Sequence, residues 1–167
     1  MDSPTPTADA APRSVRRAID RNSFCVLATW SATTGAHAVG VMYSEAEGDL
    51  YVATMRDSAK ARNIAANPRI GVCIPARRFP FSPPFVVQFR AAAQVLASND
   101  ATIERLLRAG KLKRITRHGE LDEPRTCFLR LVPDPKVSTY GVGVSLWTLA
   151  RDPLHASRTF ELERTSA

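Results

Sequence analysis

Short apolar runs broken by turn chemistry set the limits on what this chain can become. FCVLATW (Phe24 to Trp30) is apolar and partly β-branched or aromatic, which predicts a strand. Ser31 to Gly35 reads as a turn, and Ala36 to Tyr43 as a second strand. Glu47-Gly48-Asp49 turns the chain again into Leu50 to Thr54, so the first half opens as an antiparallel meander. Further strands are expected at Ile70 to Ile74, Phe85 to Ala97 and Thr126 to Pro133. A last strand or pair is expected over Val137 to Leu149, interrupted at Gly141 and Gly143. Helical signals occur at three places only. Pro12 suits the first turn of a helix over Arg13 to Arg21. Asp57 or Ser58 caps a second helix that Pro68 stops, and Asn99 or Asp100 caps a third through Arg108. Parallel βαβ winding needs a helix after nearly every strand. The pattern instead predicts a mainly β fold, a small antiparallel barrel of about six strands with a few helices.

The balance of 44% hydrophobic and 23% charged residues is that of a globular chain rather than a disordered one. At 167 residues it suits one domain. Residues 1–11 are expected as a disordered tail, 12–150 as the barrel and 151–167 as a polar C-terminal tail. No apolar run reaches the ~20 residues needed to cross a bilayer, and the first residues lack the pattern of a secretory signal. Cys25, Cys73 and Cys127 form no CxxC pair, which argues against a zinc site or a disulfide framework. They read as small buried hydrophobes in a reducing cytoplasm. The isolated His37, His118 and His155 have no partner at ligand spacing, so no metal site is expected.

Net charge is +7, carried mostly by arginine, and invites an anionic partner. The informative segment is Thr54 to Pro68. A strand ends at Thr54 and a helix starts near Ser58, so unpaired N–H donors and a partial positive charge gather there. Ser58 adds a hydroxyl and Lys60 an ammonium, with Arg56 and Arg62 close by. That is the physical recipe for holding a phosphate. A second basic cluster, Arg105 to Arg117, lacks aromatic residues to stack bases, so it reads as a solvated face and nucleic-acid binding is not expected. In Phe85 to Ala97, alternation puts Val87, Phe89, Ala91 and Ala93 on one face and Gln88, Arg90 and Gln94 on the other. Gly141-Val142-Gly143 has Leu146 where a dinucleotide fingerprint needs glycine, and is set aside. Tyr140 and Trp147 read as core or interface packing.

YVATMRDSAKARNIAANPRIGVCI (Tyr51 to Ile74) resembles the pyridoxamine 5′-phosphate oxidase-like superfamily of FMN-binding split barrels. Thr54, Ser58, Lys60, Asn67-Pro68 and the following strand match in type and spacing, as do LATW and its turn. VQFRAAAQV (Val87 to Val95) is similar to the family strand whose Gln approaches the flavin. The resemblance runs from about Phe24 to Leu107. It implies an FMN-binding oxidoreductase acting on a small molecule, a homodimer with cofactor sites at the interface. It places the phosphate at Ser58, Ala59 and Lys60. The ring would lie against Val39, Gly40, Val41, Met42, Ala53 and Thr54, and Gln88 would bond the flavin.

The departures are as informative. The family oxidase itself carries two basic residues on the second strand, which fall here on Ala38 and Tyr43, and an Arg beside the phosphate-binding Lys, which falls on Ala59. Its C-terminal basic signature has no counterpart. The chain therefore resembles the family and not that enzyme. Two alternatives share the fold. One is a reductase using the deazaflavin F-420, whose anionic tail Arg56, Arg62, Arg77 and Arg78 would serve. The other is a non-catalytic flavin-binding or sensing protein.

Overall fold

The computed structural model describes residues 10–76, 85–141, 151 and 157–161. Helix α1 (Ala10–Arg21) buries Val15 and Ile19 and turns its arginines outward. Its end is fixed from inside, because the Tyr43 hydroxyl donates to the Ile19 carbonyl at 2.6 Å and the ring of Tyr43 is fully buried. Strands β1 (Phe24–Ser31) and β2 (Gly35–Met42) form an antiparallel hairpin in full register, Phe24 opposite Met42 and Ser31 opposite Gly35.

Strands β3 (Ser44–Ala46) and β4 (Asp49–Met55) form a second, tighter hairpin. Its two turn residues, Glu47 and Gly48, both take positive φ (58° and 84°), the twist that a two-residue hairpin needs. Glutamate is an unusual residue there. It is held by its ion pair with Arg105 at 2.5 Å, while the Gly48 N–H donates to the Glu45 carboxylate at 2.8 Å. Helix α2 (Ala59–Ala66) follows, then β5 (Arg69–Ala76), β6 (Phe85–Ala97), α3 (Ala101–Arg108), β7 (Thr126–Tyr140) and β8 (Ser157–Glu161).

The eight strands make one curled antiparallel sheet in the order β2-β1-β5-β6-β7-β4-β3, with β8 also on β7. β7 is its spine. One edge carries β6 along nearly its whole length; the other carries β4 at Thr126–Leu131 and β8 at Lys136–Tyr140. Between those partners lies VPDP, Val132 to Pro135, where Pro133 and Pro135 have no N–H to give a ladder. There Phe89 pairs with Val137 but Ala91 with Pro133, so Asp134, Pro135 and Lys136 bulge opposite Arg90.

The concave face holds the main core, in which Leu27, Val72, Ile74, Val87 and Leu129 are all but inaccessible. α3 covers a second cluster of Tyr51, Ile103, Leu106, Leu112 and Phe128 on the other face of β4 and β7. At that end Asp49, 4% exposed, receives the Arg130 guanidinium at 2.6 Å across the β4–β7 pair.

Several expectations change. Eight strands replace about six, because the short β3 hairpin and β8 left too little apolar signal. β4 does not continue a meander from β2; it pairs with β3 and β7 instead. Pro75, expected in an irregular loop, lies in β5 opposite Val86. The strand expected to stop at Pro133 runs on to Tyr140, since the bulge absorbs both prolines. Helix α1 begins at Ala10, within the expected tail. Arg77, Arg78, Pro80, Pro83, Pro84, Val142, Gly143, Trp147 and His155 lie outside the described residues.

Tyr43→Phe leaves a buried carbonyl without its donor and should lower unfolding stability by about 1–2 kcal/mol. A urea titration would show this as a lower midpoint with the slope unchanged.

Candidate functional site

The β4–α2 junction is built by capping. Ser58 has extended backbone (φ −68°, ψ 150°), and its Oγ accepts the Ala61 N–H at 3.3 Å. The Thr54 hydroxyl donates to the same oxygen at 3.3 Å, tying the end of the strand to the start of the helix. The Arg62 N–H donates to the Ser58 carbonyl at 3.0 Å, the first turn of the helix. Among the described residues the Ala59 and Lys60 N–H groups have no acceptor, as expected for a first turn. The helix is held to the sheet by Asn63, whose side chain is buried and donates to Thr29 Oγ1 at 3.0 Å.

Charge at this junction is only partly neutralised. Asp57 pairs with Arg125 at 3.2 Å, and the Arg62 guanidinium donates to the Asp57 carbonyl. Exposed Arg56 and half-buried Lys60 have no ion pair among the described residues. Both stand near enough to Cys127 for their charges to pull its thiol downward, although burial wins and raises it. The donors therefore comprise two unpaired cations and two free helix N–H groups at one end of β4. That set fits a phosphate dianion.

The sequence-derived ring contacts divide. Val41 points into the core and half-buried Val39 packs against it, so only their backbones can reach a ligand. Gly40 and Met42 face outward. β2 ends the sheet order, so its free edge offers unpaired N–H and C=O groups. Ala53 and Thr54 sit half-buried beside the junction.

Gln88 lies elsewhere. Thr54 pairs with Cys127 on β7, whereas Gln88 pairs with Ser138, eleven residues further on. That is about 36 Å along the strand path at ~3.3 Å per residue. Gln88 instead belongs to a row across the convex face: Ser138, Gln88, Cys73, Val26 and Gly40 are successive partners in register. The neighbouring row is Arg90, Gly71, Ala28 and Ala38. Ser138, Gln88, Cys73 and Val26 of the first row and Arg90, Gly71 and Ala28 of the second line an open trough of about 680 Å³, with Asp134 and Lys136 of the bulge. On β2, outside the trough's lining, the Phe24 ring crosses Gly40 so closely that a Cβ there would lie 2.7 Å from it. Trp30, 51% exposed, stands one pleat beyond Ala28.

Sequence reading placed Arg90 beside Gln88 by strand alternation but gave it no role. It gave Lys136 no role and read Cys73 as a buried hydrophobe, whereas Cys73 is half-buried and lines the trough. The Pro-x-Pro at Pro133 and Pro135 was the available signal, because it marks where β7 must bulge. Burial pushes the Cys25 thiol up to about 12 and also raises Cys73 and Cys127. No cluster of metal-ligating side chains occurs among the described residues. In the basic cluster, Arg105 is paired with Glu47 and Arg114 donates to the Asn22 carbonyl at 2.9 Å.

The curled antiparallel sheet, with a capped helix after β4, defines a split β-barrel. The family model described as pyridoxamine 5′-phosphate oxidase matches residues 11–134, and the chain belongs to that family. No curated protein matches it. Among solved structures, a heme-binding protein from Mycobacterium smegmatis superposes with a TM-score of 0.67 at 15% identity, covering 95% of this chain and 60% of that one. An FAD-binding protein from Mesorhizobium loti superposes at 0.58 with 19% identity, covering 74% and 87%. An F420 reductase superposes at 0.52 with 14% identity, covering 71% and 92%. At such identities the shared property is the fold.

Ser58→Ala removes the cap of α2 and should cost about 1 kcal/mol, whereas Ser58→Gly should cost a few tenths. Thermal melts of the two variants beside the parent would resolve the difference.

Proposed function

We propose that the chain is a flavin-dependent oxidoreductase that binds FMN with its phosphate at the start of α2. The observation that carries this reading is the pair of unpaired cations, Arg56 and Lys60, beside free helix N–H groups at the end of β4. Lys60 would supply a charge-assisted hydrogen bond to the phosphate, and the Ala59 and Lys60 amides would complete the cradle. The free edge of β2 at Val39 to Met42, with Ala53 and Thr54, would meet the polar rim of the ring through backbone atoms. A bound flavin supplies the hydride and electron transfer, so the protein's share is position and electrostatics. That matches a chain whose three thiols are all raised by burial.

In this reading the protein is a homodimer. Phe24, Trp30 and Met42 are 43%, 51% and 44% exposed on one convex face, a surface suited to a second copy. A second copy would also bring its own Gln88 toward a flavin that the first chain's Gln88 is too distant to touch. No described helix is long and apolar enough to cross a membrane, and the three cysteines are free, as suits a reducing cytoplasm.

FMN should bind the purified protein, and Lys60→Ala should weaken it by about 1.5–3 kcal/mol if the bond is charge-assisted. Flavin fluorescence titration reads this directly. A colourless protein that ignores FMN but takes up F-420 in the same titration would move the reading to the deazaflavin alternative. Loss of turnover alone, with NADPH and a panel of electrophilic acceptors, would leave a binding or sensing protein. Met42→Asp should convert a dimer into a monomer in sedimentation equilibrium. Unchanged mass would place any interface elsewhere.

A further inference from the structure

We propose that α1 and the segment 105–117 together form a docking surface for duplex DNA, which they hold by its phosphate backbone without reading its sequence. The surface shares no residue with the start of α2 or with the trough, and its partner does not depend on the flavin reading.

On its own, 105–117 is a solvated face. The fold sets it against a second basic element. The Arg114 guanidinium donates to the Asn22 carbonyl at 2.9 Å, just past the end of α1, where the partial negative charge of a helix terminus favours a cation. Asn22 is tied to that helix by its backbone N–H and its side chain, both donating to the Ala18 carbonyl. Burial of Val15 and Ile19 turns the other side of α1 to solvent, and exposed Arg13, Arg17 and Arg21 recur there at every fourth residue. At ~1.5 Å per residue they make a row about 12 Å long that runs toward Arg114. Exposed Arg108, Lys111, Lys113 and Arg117 lie on the segment that Arg114 anchors.

Charge is concentrated on this face. The two segments hold ten basic residues against Asp20 alone, whereas the rest of the chain has thirteen basic and fifteen acidic. The net charge of +7 therefore arises here and nowhere else. Arg105 is paired with Glu47, but none of the other exposed cations of the two segments has an ion pair among the described residues. A duplex carries one phosphate per ~1.7 Å of its axis, so the α1 row alone spans several.

The side chains select the partner. The large exposed apolar residues, Phe24, Trp30, Met42, Met55 and Leu121, all lie outside the two segments. The surface thus lacks the apolar anchors of a protein interface and any side chain to enter a bilayer. Neither segment contains an aromatic residue, so unstacked bases of a single strand find no platform. Apart from Asp20, the exposed polar side chains are donors with no acceptor, so the 2′-hydroxyl that marks RNA gains no dedicated partner. Guanidinium and ammonium groups against a duplex phosphate backbone remain, a sequence-independent mode of binding.

Fluorescence anisotropy of a labelled duplex of about 20 base pairs, titrated with the full chain, reads the surface directly. Two duplexes of unrelated sequence should bind alike, and log affinity should fall with log salt at a slope of about −3 or steeper. A triple substitution on α1, Arg13→Gln, Arg17→Gln, Arg21→Gln, removes one half of the surface. Lys111→Gln, Lys113→Gln, Arg117→Gln removes much of the other and leaves Arg114 in place. Each should bind at least about tenfold more weakly than Arg69→Gln, Arg90→Gln, Lys136→Gln, which takes the same charge from the convex face. Circular dichroism identifies the folded variants, and the salt slope and competitors decide on the parent protein alone. A shallower slope, unequal binding of the two duplexes, a smaller gap for either folded variant, or no binding up to about 100 μM at low salt would overturn the proposal. So would tighter binding to a single strand or an RNA duplex of the same length, or to vesicles rich in phosphatidylserine.

Discussion

Everything in this molecule is hung on β7. That strand pairs with β6 on one edge and with β4 and then β8 on the other, so it fixes which parts of the chain meet. Its first half delivers the end of β4 and hence the start of α2. Its second half delivers Gln88, Arg90 and the convex trough. The bulge at Asp134 to Lys136, opposite Arg90, lets one continuous strand serve both halves, because it sits where the partner on the other edge changes from β4 to β8. Functional groups from far-apart segments are thereby sorted to two ends of one sheet.

The two ends differ in physical character. At the α2 start, charge is concentrated beside a helix terminus whose N–H groups have no internal acceptor, and Asp57 is turned away by its pairing with Arg125. Capping by Ser58 and anchoring by buried Asn63 make that geometry rigid before any ligand arrives. Preformed donors of this kind lose little entropy on binding. The trough is lined by a mixture of apolar and polar side chains from β1, β5, β6 and β7, with Arg90, Asp134 and Lys136 gathered at the bulge. A single chain keeps the two regions apart along β7.

Much of this was legible in the sequence where the signal was local. The strand Phe85–Ala97 was readable because its residues alternate between buried and more exposed from Phe85 to Gln94. The caps lie within the expected pairs, Ser58 of Asp57 or Ser58 and Asp100 of Asn99 or Asp100, because capping chemistry is local. The family likeness pointed to the β4–α2 junction because the residues that carry it are contiguous. What escaped depends on pairing between distant segments. β3 is too short to show a period, and β8 is polar and exposed, held by its ladder to β7 rather than by apolar burial. Pro133 and Pro135 look like a stop because proline usually ends a strand. Only the register with β6 reveals a bulge, and only the cross-strand rows show that Gln88 shares a face with Gly40 rather than with Lys60.

The central claim, that an FMN phosphate sits at the start of α2, is most directly tested by a crystal structure of the protein grown with FMN. The phosphate should lie within about 3 Å of Lys60 Nζ and of the Ala59 or Lys60 amide nitrogen. A phosphate bound elsewhere, at the Arg90–Lys136 end of the trough for example, with α2 left bare, would contradict the account.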